Sequence, residues 1–240
     1  MNDVRRWLIL NCSRQSGKSS MLMVKATQAA LVDSKSLVLV VAEQRQSNED
    51  LRKARELVKA LDKWLDEQTD GKNTVTLVTD AKTTLEFANG SRIIALPANE
   101  KVRGFSAPRL VVIDEAAYLD DEVFVGIDPM LEVSQGQLVL ASTPHGTTGF
   151  FHQEWSNPRY YQYKVPWQEC PRISAESIAN KRLLYGEAYV KQEYEAEFLD
   201  DLSSLFTARS LQASLDENED VFGDLMQNIN KQVTGEVELI

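Results

Sequence analysis

The stretch WLILNCSRQSGKSS, Trp7 to Ser20, constrains the fold more than any other part of the chain. An apolar run of strand length turns through a polar loop and enters KSSMLMVKATQAALV, where Met21, Val24, Ala29 and Leu31 recur at helical spacing. Strand, glycine loop and helix in immediate succession bring backbone N–H groups and a helix N-terminus to one point, the arrangement by which a backbone holds phosphate. Gly17 allows close approach, Lys18 carries charge for the β- and γ-phosphates, and the Ser19 hydroxyl suits Mg2+. Cys12 stands where the pattern G-x-x-x-x-G-K-S/T has its first glycine, a position that opens the loop without contacting phosphate. ATP with Mg2+ is the ligand this loop predicts.

The rest of the chain supplies a sheet to carry that loop. SLVLVVA (Ser36 to Ala42) predicts a second strand, continuously apolar as central parallel strands are. SNEDLRKARELVKALDKWLDEQ predicts an amphipathic helix with Ser47 as N-cap and Leu51, Ala54, Leu57, Val58, Leu61 and Leu65 on one face. A β-rich insert follows, TVTLVTD and then TTLEFANGSRIIALPA, where Asn89-Gly90 between two strand-like runs signals a hairpin. RLVVIDEAAYLDD and GQLVLASTPHG read as the third and fourth core strands, and DEVFVGIDPMLEV between them as a helix interrupted by proline. TTGFFHQEW predicts a short helix, YYQYKVPW a strand, and SAESIANKRLLYGEAYVKQEYEAEFLDD one or two helices broken near Gly186. Strands alternating with helices define the α/β class with a mostly parallel central sheet, and such sheets bind ligands beyond the carboxyl ends of their strands.

Two further motifs sit at such ends. Leu110 to Ile113 lead into Asp114, which can hold the Mg2+ shell, and Glu115, which can polarise a water for in-line attack on the γ-phosphate. Adjacent carboxylates can also form a plain exposed turn; behind a phosphate loop the catalytic reading is preferred. Ala141, Ser142 and Thr143 end a buried strand with hydroxyls where a γ-phosphate would lie, ahead of a Pro144 and glycine turn suited to movement.

Composition bounds the rest. The chain has 240 residues, 43% apolar and 26% charged, which fits one generous α/β domain or one with a small appendage. A net charge of −10 argues against a surface that grips nucleic acid everywhere, since nonspecific binding rests on cations neutralising phosphates. No run reaches the ~18 apolar residues of a membrane span, and the N-terminus does not read as a secretory signal, so no membrane association and a cytoplasmic address are expected. Cys12 and Cys170 read as reduced thiols. His145 and His152 lack partners at ligand spacing. Trp155, Tyr160, Tyr161, Tyr163 and Trp167 read as core rather than as a stacking platform, because duplex DNA offers no unstacked bases.

Together SRQSGKSS, LVVIDEAAYL and LASTPHGTTGFFHQEW resemble the ATPase domain of the bacteriophage terminase large subunit, from about Trp7 to Leu199. The resemblance implies a P-loop NTPase fold of the RecA/ASCE type with a β-hairpin insert and a C-terminal helical linker region. It implies a core over 1–170, a linker over 171–200 and a short acidic tail over 201–240. By the same resemblance Lys18 and Ser19 are Walker A ligands, within a nucleotide-binding loop of Ser13, Gln15, Ser16, Gly17, Lys18, Ser19 and Ser20. Ser19 and Asp114 hold Mg2+, Asp114 and Glu115 form the Walker B pair, and Ser142, Thr143 and Pro144 couple hydrolysis to movement. Arg14 in the loop and Arg103 before the third core strand are the candidate catalytic arginines, Arg103 acting across a subunit interface.

The implied activity is ATP hydrolysis that drives double-stranded viral DNA into a prohead. The implied partners are the portal protein and the small terminase subunit, with a homo-oligomeric ring as the working form in the cytoplasm of the bacterial host. The family's adenine-contacting segment lies upstream of the first strand; only residues 1–6 precede Trp7, so weak nucleotide affinity is expected. The tail is too short for the family's nuclease domain, so no nuclease activity is expected, and Asp200, Asp201, Asp216 and Asp220 read as a solvated acidic tail. A helicase-like P-loop ATPase and an assembly module without turnover are the alternatives.

Overall fold

Alternating inward and outward residues on six parallel strands determine how the chain packs. The computed structural model describes residues 5–199, apart from the side chains of residues 100 and 101. Its sheet contains β1 (Trp7–Cys12), β2 (Leu37–Ala42), β3 (Leu77–Asp80), β4 (Thr84–Phe87), β5 (Arg92–Pro97), β6 (Leu110–Asp114), β7 (Gln137–Ser142) and β8 (Tyr161–Val165), in the order β3-β4-β5-β2-β6-β7-β1-β8. All pairings from β5 to β8 are parallel, and β4 joins β5 and β3 antiparallel. The helices are α1 (Lys18–Val32), α2 (Gln44–Thr69), α3 (Asp121–Ser134), α4 (Gly149–Trp155), α5 (Ala175–Tyr185) and α6 (Glu187–Glu195).

Two cores follow from the period of two along each strand. Leu8, Val38, Val40, Leu110, Val112 and Val139 face α1 and α2, where Leu22, Met23, Ala26, Leu51, Ala54 and Val58 meet them. Ile9, Leu39, Val41, Val111, Ile113, Leu138 and Leu140 face the other way, against Val123, Ile127 and Leu131 of α3 and Phe150 and Phe151 of α4. A smaller cluster of Ile178, Val190 and Tyr194 joins α5 to α6. The Asn89-Gly90 hairpin forms as expected between β4 and β5, and α5 and α6 break at Gly186, whose φ of 85° suits glycine.

Three local expectations are corrected. Ser47 does not cap α2: the helix starts at Gln44, one turn earlier, and the Ser47 hydroxyl donates to the Gln44 carbonyl at 3.1 Å. This earlier start buries Asp50 against the sheet end. In α1 the buried face is Leu22, Met23, Ala26, Thr27 and Ala30, whereas Met21 and Val24 are exposed. The phase is set at the helix start, where Lys18 and Ser19 must reach the strand ends. Pro129 does not interrupt α3, which runs unbroken because Ile127, Met130 and Leu131 anchor that stretch in the core.

Candidate functional site

The sheet order brings three sequence-distant tips together. β7 lies between β1 and β6, so the loop after β1, the carboxylates after β6 and the hydroxyls ending β7 emerge side by side at the carboxyl edge. Register tightens the grouping: Asn11 pairs with Ser142, and Asp114 with Ala141.

The phosphate loop begins as Cys12 ends β1. Cys12 is buried, and burial pushes its thiol up to about 12. Gly17 takes a φ of 93° as it opens α1, and Gln15 is also left-handed at 59°. Lys18 Nζ donates to Glu115 Oε1 at 2.8 Å, and Ser19 Oγ to Asp114 Oδ2 at 2.5 Å. Burial alone would favour neutral Lys18, but the Glu115 and Asp114 carboxylates outweigh it and raise its pKa, so the ammonium is retained. Glu115 sits in the left-handed region at φ 54° and turns its carboxylate back toward the loop, while its N–H donates to Asp114 Oδ1 at 3.0 Å. A strained residue of this kind at a strand tip marks a position held by its surroundings.

The donor set fits a magnesium nucleotide. Ser19 and Asp114 offer one hydroxyl and one carboxylate on the same spot, leaving further oxygens to come from phosphate and water, as Mg2+ prefers. Ser16 Oγ, Glu115 Oε2 and Ser142 Oγ, on the elements that meet at this edge, are buried polar atoms without a hydrogen-bond partner among the described residues.

Other expected residues are placed differently from one another. Thr143 hydrogen-bonds Tyr118 Oη at 3.3 Å, and Pro144 is buried beside it. Ser13 is buried with its hydroxyl on Cys170 Sγ at 3.5 Å, while Gln15 and Ser20 are exposed. Arg14 Nη1 pairs with Glu193 Oε2 at 3.0 Å. Arg103 lies along α3, donating to the Glu122 carbonyl at 3.4 Å, apart from the loop cluster. His145 stacks on Tyr118, and His152 meets Phe198 edge-on. The aromatic group divides: Tyr160 is core against Trp7, while Tyr161 and Tyr163 stand exposed on β8.

Sequence reading missed four participants. Gln46 and Asp50 of α2 approach the Asp114 carboxylate: Gln46 Nε2 lies 3.4 Å from Asp114 Oδ2 and 3.0 Å from Asp50 Oδ1. Burial, then the Asp114 charge, raises Asp50 to about 7 against the opposing pull of Lys53. Glu193 joins Arg14 and Tyr118, and the Arg14 N–H donates to the Glu193 carbonyl at 2.7 Å. Arg172 rests on Gly17: a methyl group there would lie 2.6 Å from Arg172 Nη2. The described part, 171–199, of the helical linker expected over 171–200 thus contributes directly to the loop's surroundings; the expected tail over 201–240 lies outside the described residues. Only the burial of one carboxylate late in a helix, not any motif, could have pointed to Glu193.

Comparison with known proteins places this geometry in context. The family described as RNA cytidine acetyltransferase NAT10/TcmA, helicase domain, matches residues 9–150. No curated protein matches the sequence. Among solved structures, the large terminase ATPase domain of Thermus phage P74-26 is similar at a TM-score of 0.66 and 18% identity, over 82% of this chain and 90% of that one. The large terminase of bacteriophage HK97 is similar at 0.53 and 18%, over 80% of this chain and 42% of that one. That of a thermophilic bacteriophage, solved with ATP-gamma-S, is similar at 0.61 and 11%, over 81% and 48%. The chain therefore spans about half the length of the complete terminases it is similar to, and the shared fold is that of P-loop ATPases. Among the described residues no helix is long and apolar enough to cross a membrane.

Proposed function

The chain belongs to the family described as RNA cytidine acetyltransferase NAT10/TcmA, helicase domain, and on that footing we propose that it hydrolyses ATP with Mg2+ to drive movement of nucleic acid. One observation carries the proposal: Lys18, Ser19, Asp114 and Glu115, nearly a hundred positions apart in sequence, meet within hydrogen-bonding distance at the sheet's carboxyl edge. Mg2+, when bound, neutralises charge on the transferred phosphoryl group. Ser19 and Asp114 would hold that ion. Lys18 exchanges Glu115 for phosphate oxygens, which frees the carboxylate to orient and deprotonate the attacking water. Thr143, hydrogen-bonded to Tyr118 and through it to Glu193, transmits the loss of phosphate to α6.

The nucleic acid we assign is double-stranded viral DNA, moved by a homo-oligomeric ring with portal protein and small terminase subunit; similarity of fold to large terminases supports this. Arg14 and Arg103 are the arginines assigned to transition-state charge, Arg103 from a neighbouring subunit. The family match favours a second reading, a helicase-like ATPase.

The test is Mg2+-dependent ATP hydrolysis at low and high protein concentration, alone, with duplex DNA and with structured RNA. Glu115→Ala should lose about 10²-fold or more in turnover. Arg103→Ala should lose the increment gained at high concentration and keep the residual rate. Stimulation by duplex DNA supports translocation, and unwinding with stimulation by RNA supports the second reading. Nucleotide binding without turnover in the wild-type chain overturns both.

A further inference from the structure

Arg172 is the cation that lies directly on the phosphate loop, and no sequence motif singles it out. A methyl group on Gly17 would fall 2.6 Å from Arg172 Nη2 and 3.7 Å from its Cζ, so the guanidinium packs on the bare glycine backbone. The residue that stands there is held by the loop's own strand. β8 pairs with β1 up to Cys12 and Val165, the Ser13 N–H donates to the Val165 carbonyl at 2.8 Å, and Cys170 Sγ meets Ser13 Oγ at 3.5 Å. From Cys170 the backbone turns tightly, with the Ile173 N–H on the Cys170 carbonyl at 2.9 Å, and this turn carries Arg172 over Gly17.

Among the described residues no ion pair commits its charge. Arg14 is occupied by the buried Glu193 carboxylate and Arg103 lies along α3, whereas no carboxylate comes within ion-pairing distance of Arg172 among the described residues. Yet it stands over Gly17, the residue that opens α1, where the first N–H groups of the helix carry partial positive charge. A guanidinium at a helix N-terminus is unfavourable unless an anion joins the two.

We propose that Arg172 is a nucleotide-binding residue that clamps the α- and β-phosphates in cis. The assignment rests on the ATPase reading of the loop. Backbone N–H groups around the loop's last glycine cradle the α/β-phosphates, while the lysine reaches the β- and γ-phosphates. Arg172 covers that glycine, and Glu115 stands on the Lys18 side; the guanidinium therefore belongs to the part of the ligand that ADP and ATP share. Its planar fork of donors suits two phosphate oxygens at once.

The experiment measures ADP and ATP affinity by calorimetry for the wild-type chain, Arg172→Ala, Arg172→Lys and Lys18→Ala, with KM for ATP alongside. Arg172→Ala should weaken ADP and ATP alike by roughly tenfold, as loss of a charge-assisted hydrogen bond does. Arg172→Lys should recover part of that loss, and KM should rise in parallel. Substituting an exposed arginine without an ion-pair partner among the described residues should leave the melting temperature unchanged, which separates binding from folding. Nucleotide affinity lost in Lys18→Ala but untouched in Arg172→Ala overturns this assignment alone. A loss confined to ATP overturns the α/β placement. A wild-type chain that binds neither nucleotide overturns the reading of the loop, and this assignment with it.

Discussion

Cys12 shows how one residue satisfies two demands. It ends a buried strand, at 3% exposure, and opens a loop that elsewhere begins with glycine. Its side chain is buried beneath the loop, near Ser16, Lys18 and Cys170. The thiol, pushed up from 9.0 to about 12 by burial, stays protonated in the folded chain at neutral pH. An acid with a raised folded pKa contributes stability that is fully present below its unfolded value and lost as pH rises toward the folded one. Between pH 9 and 12 the wild-type chain should therefore lose about 1.4 kcal/mol per pH unit relative to Cys12→Ala, read as the difference between their urea midpoints. A constant difference across that range would refute the buried-thiol account. Glu193 illustrates the other limit of reading single residues. Its carboxylate, 6% exposed, joins the loop arginine to Tyr118, and nothing in GEAYVKQEYEAEF marks it apart from its acidic neighbours.

Among the elements, α1 forms where the spacing predicts a helix but buries a different face from the one that spacing suggests. Methionines at 21 and 23 look equivalent in a short apolar stretch, and only the requirement that Lys18 and Ser19 meet Asp114 and Glu115 selects between the faces. Met23 is fully buried while Met21 is 48% exposed. Met23→Ala should cost about 2 to 5 kcal/mol by opening a cavity, and Met21→Gln should stay within about 0.5 kcal/mol, both from chemical denaturation. Equal costs would mean that the helix sits in the other phase. The strands were more legible, because a run buried on both faces allows no choice of side. The hairpin was legible for the same kind of reason, since Asn-Gly turns have a strong local preference. The start of α2 was not, because a serine suited to capping can also donate back to a carbonyl inside the first turn.

At the scale of the molecule, the parallel sheet is a frame that turns strand order into a site. Nucleotide that binds only the folded unit stabilises it by mass action, about 2.7 kcal/mol at a hundredfold excess over Kd. ADP at that excess should raise the melting temperature by about 5 to 10 °C, and Lys18→Ala should abolish the shift. A shift that survives Lys18→Ala would place nucleotide elsewhere on the chain. A net charge of −10 also means that contact with nucleic acid must be local. By itself the sequence determined the strand–loop–helix that offers a phosphate cradle, the carboxylate pair behind a buried strand and the α/β alternation, because these depend on neighbours along the chain. Tertiary structure alone decided that β7 lies between β1 and β6, that α6 reaches back to Arg14, and that Arg172 covers Gly17. Those relations join residues up to 179 positions apart, and long-range contact is set by packing and strand order, which leave no local pattern to read.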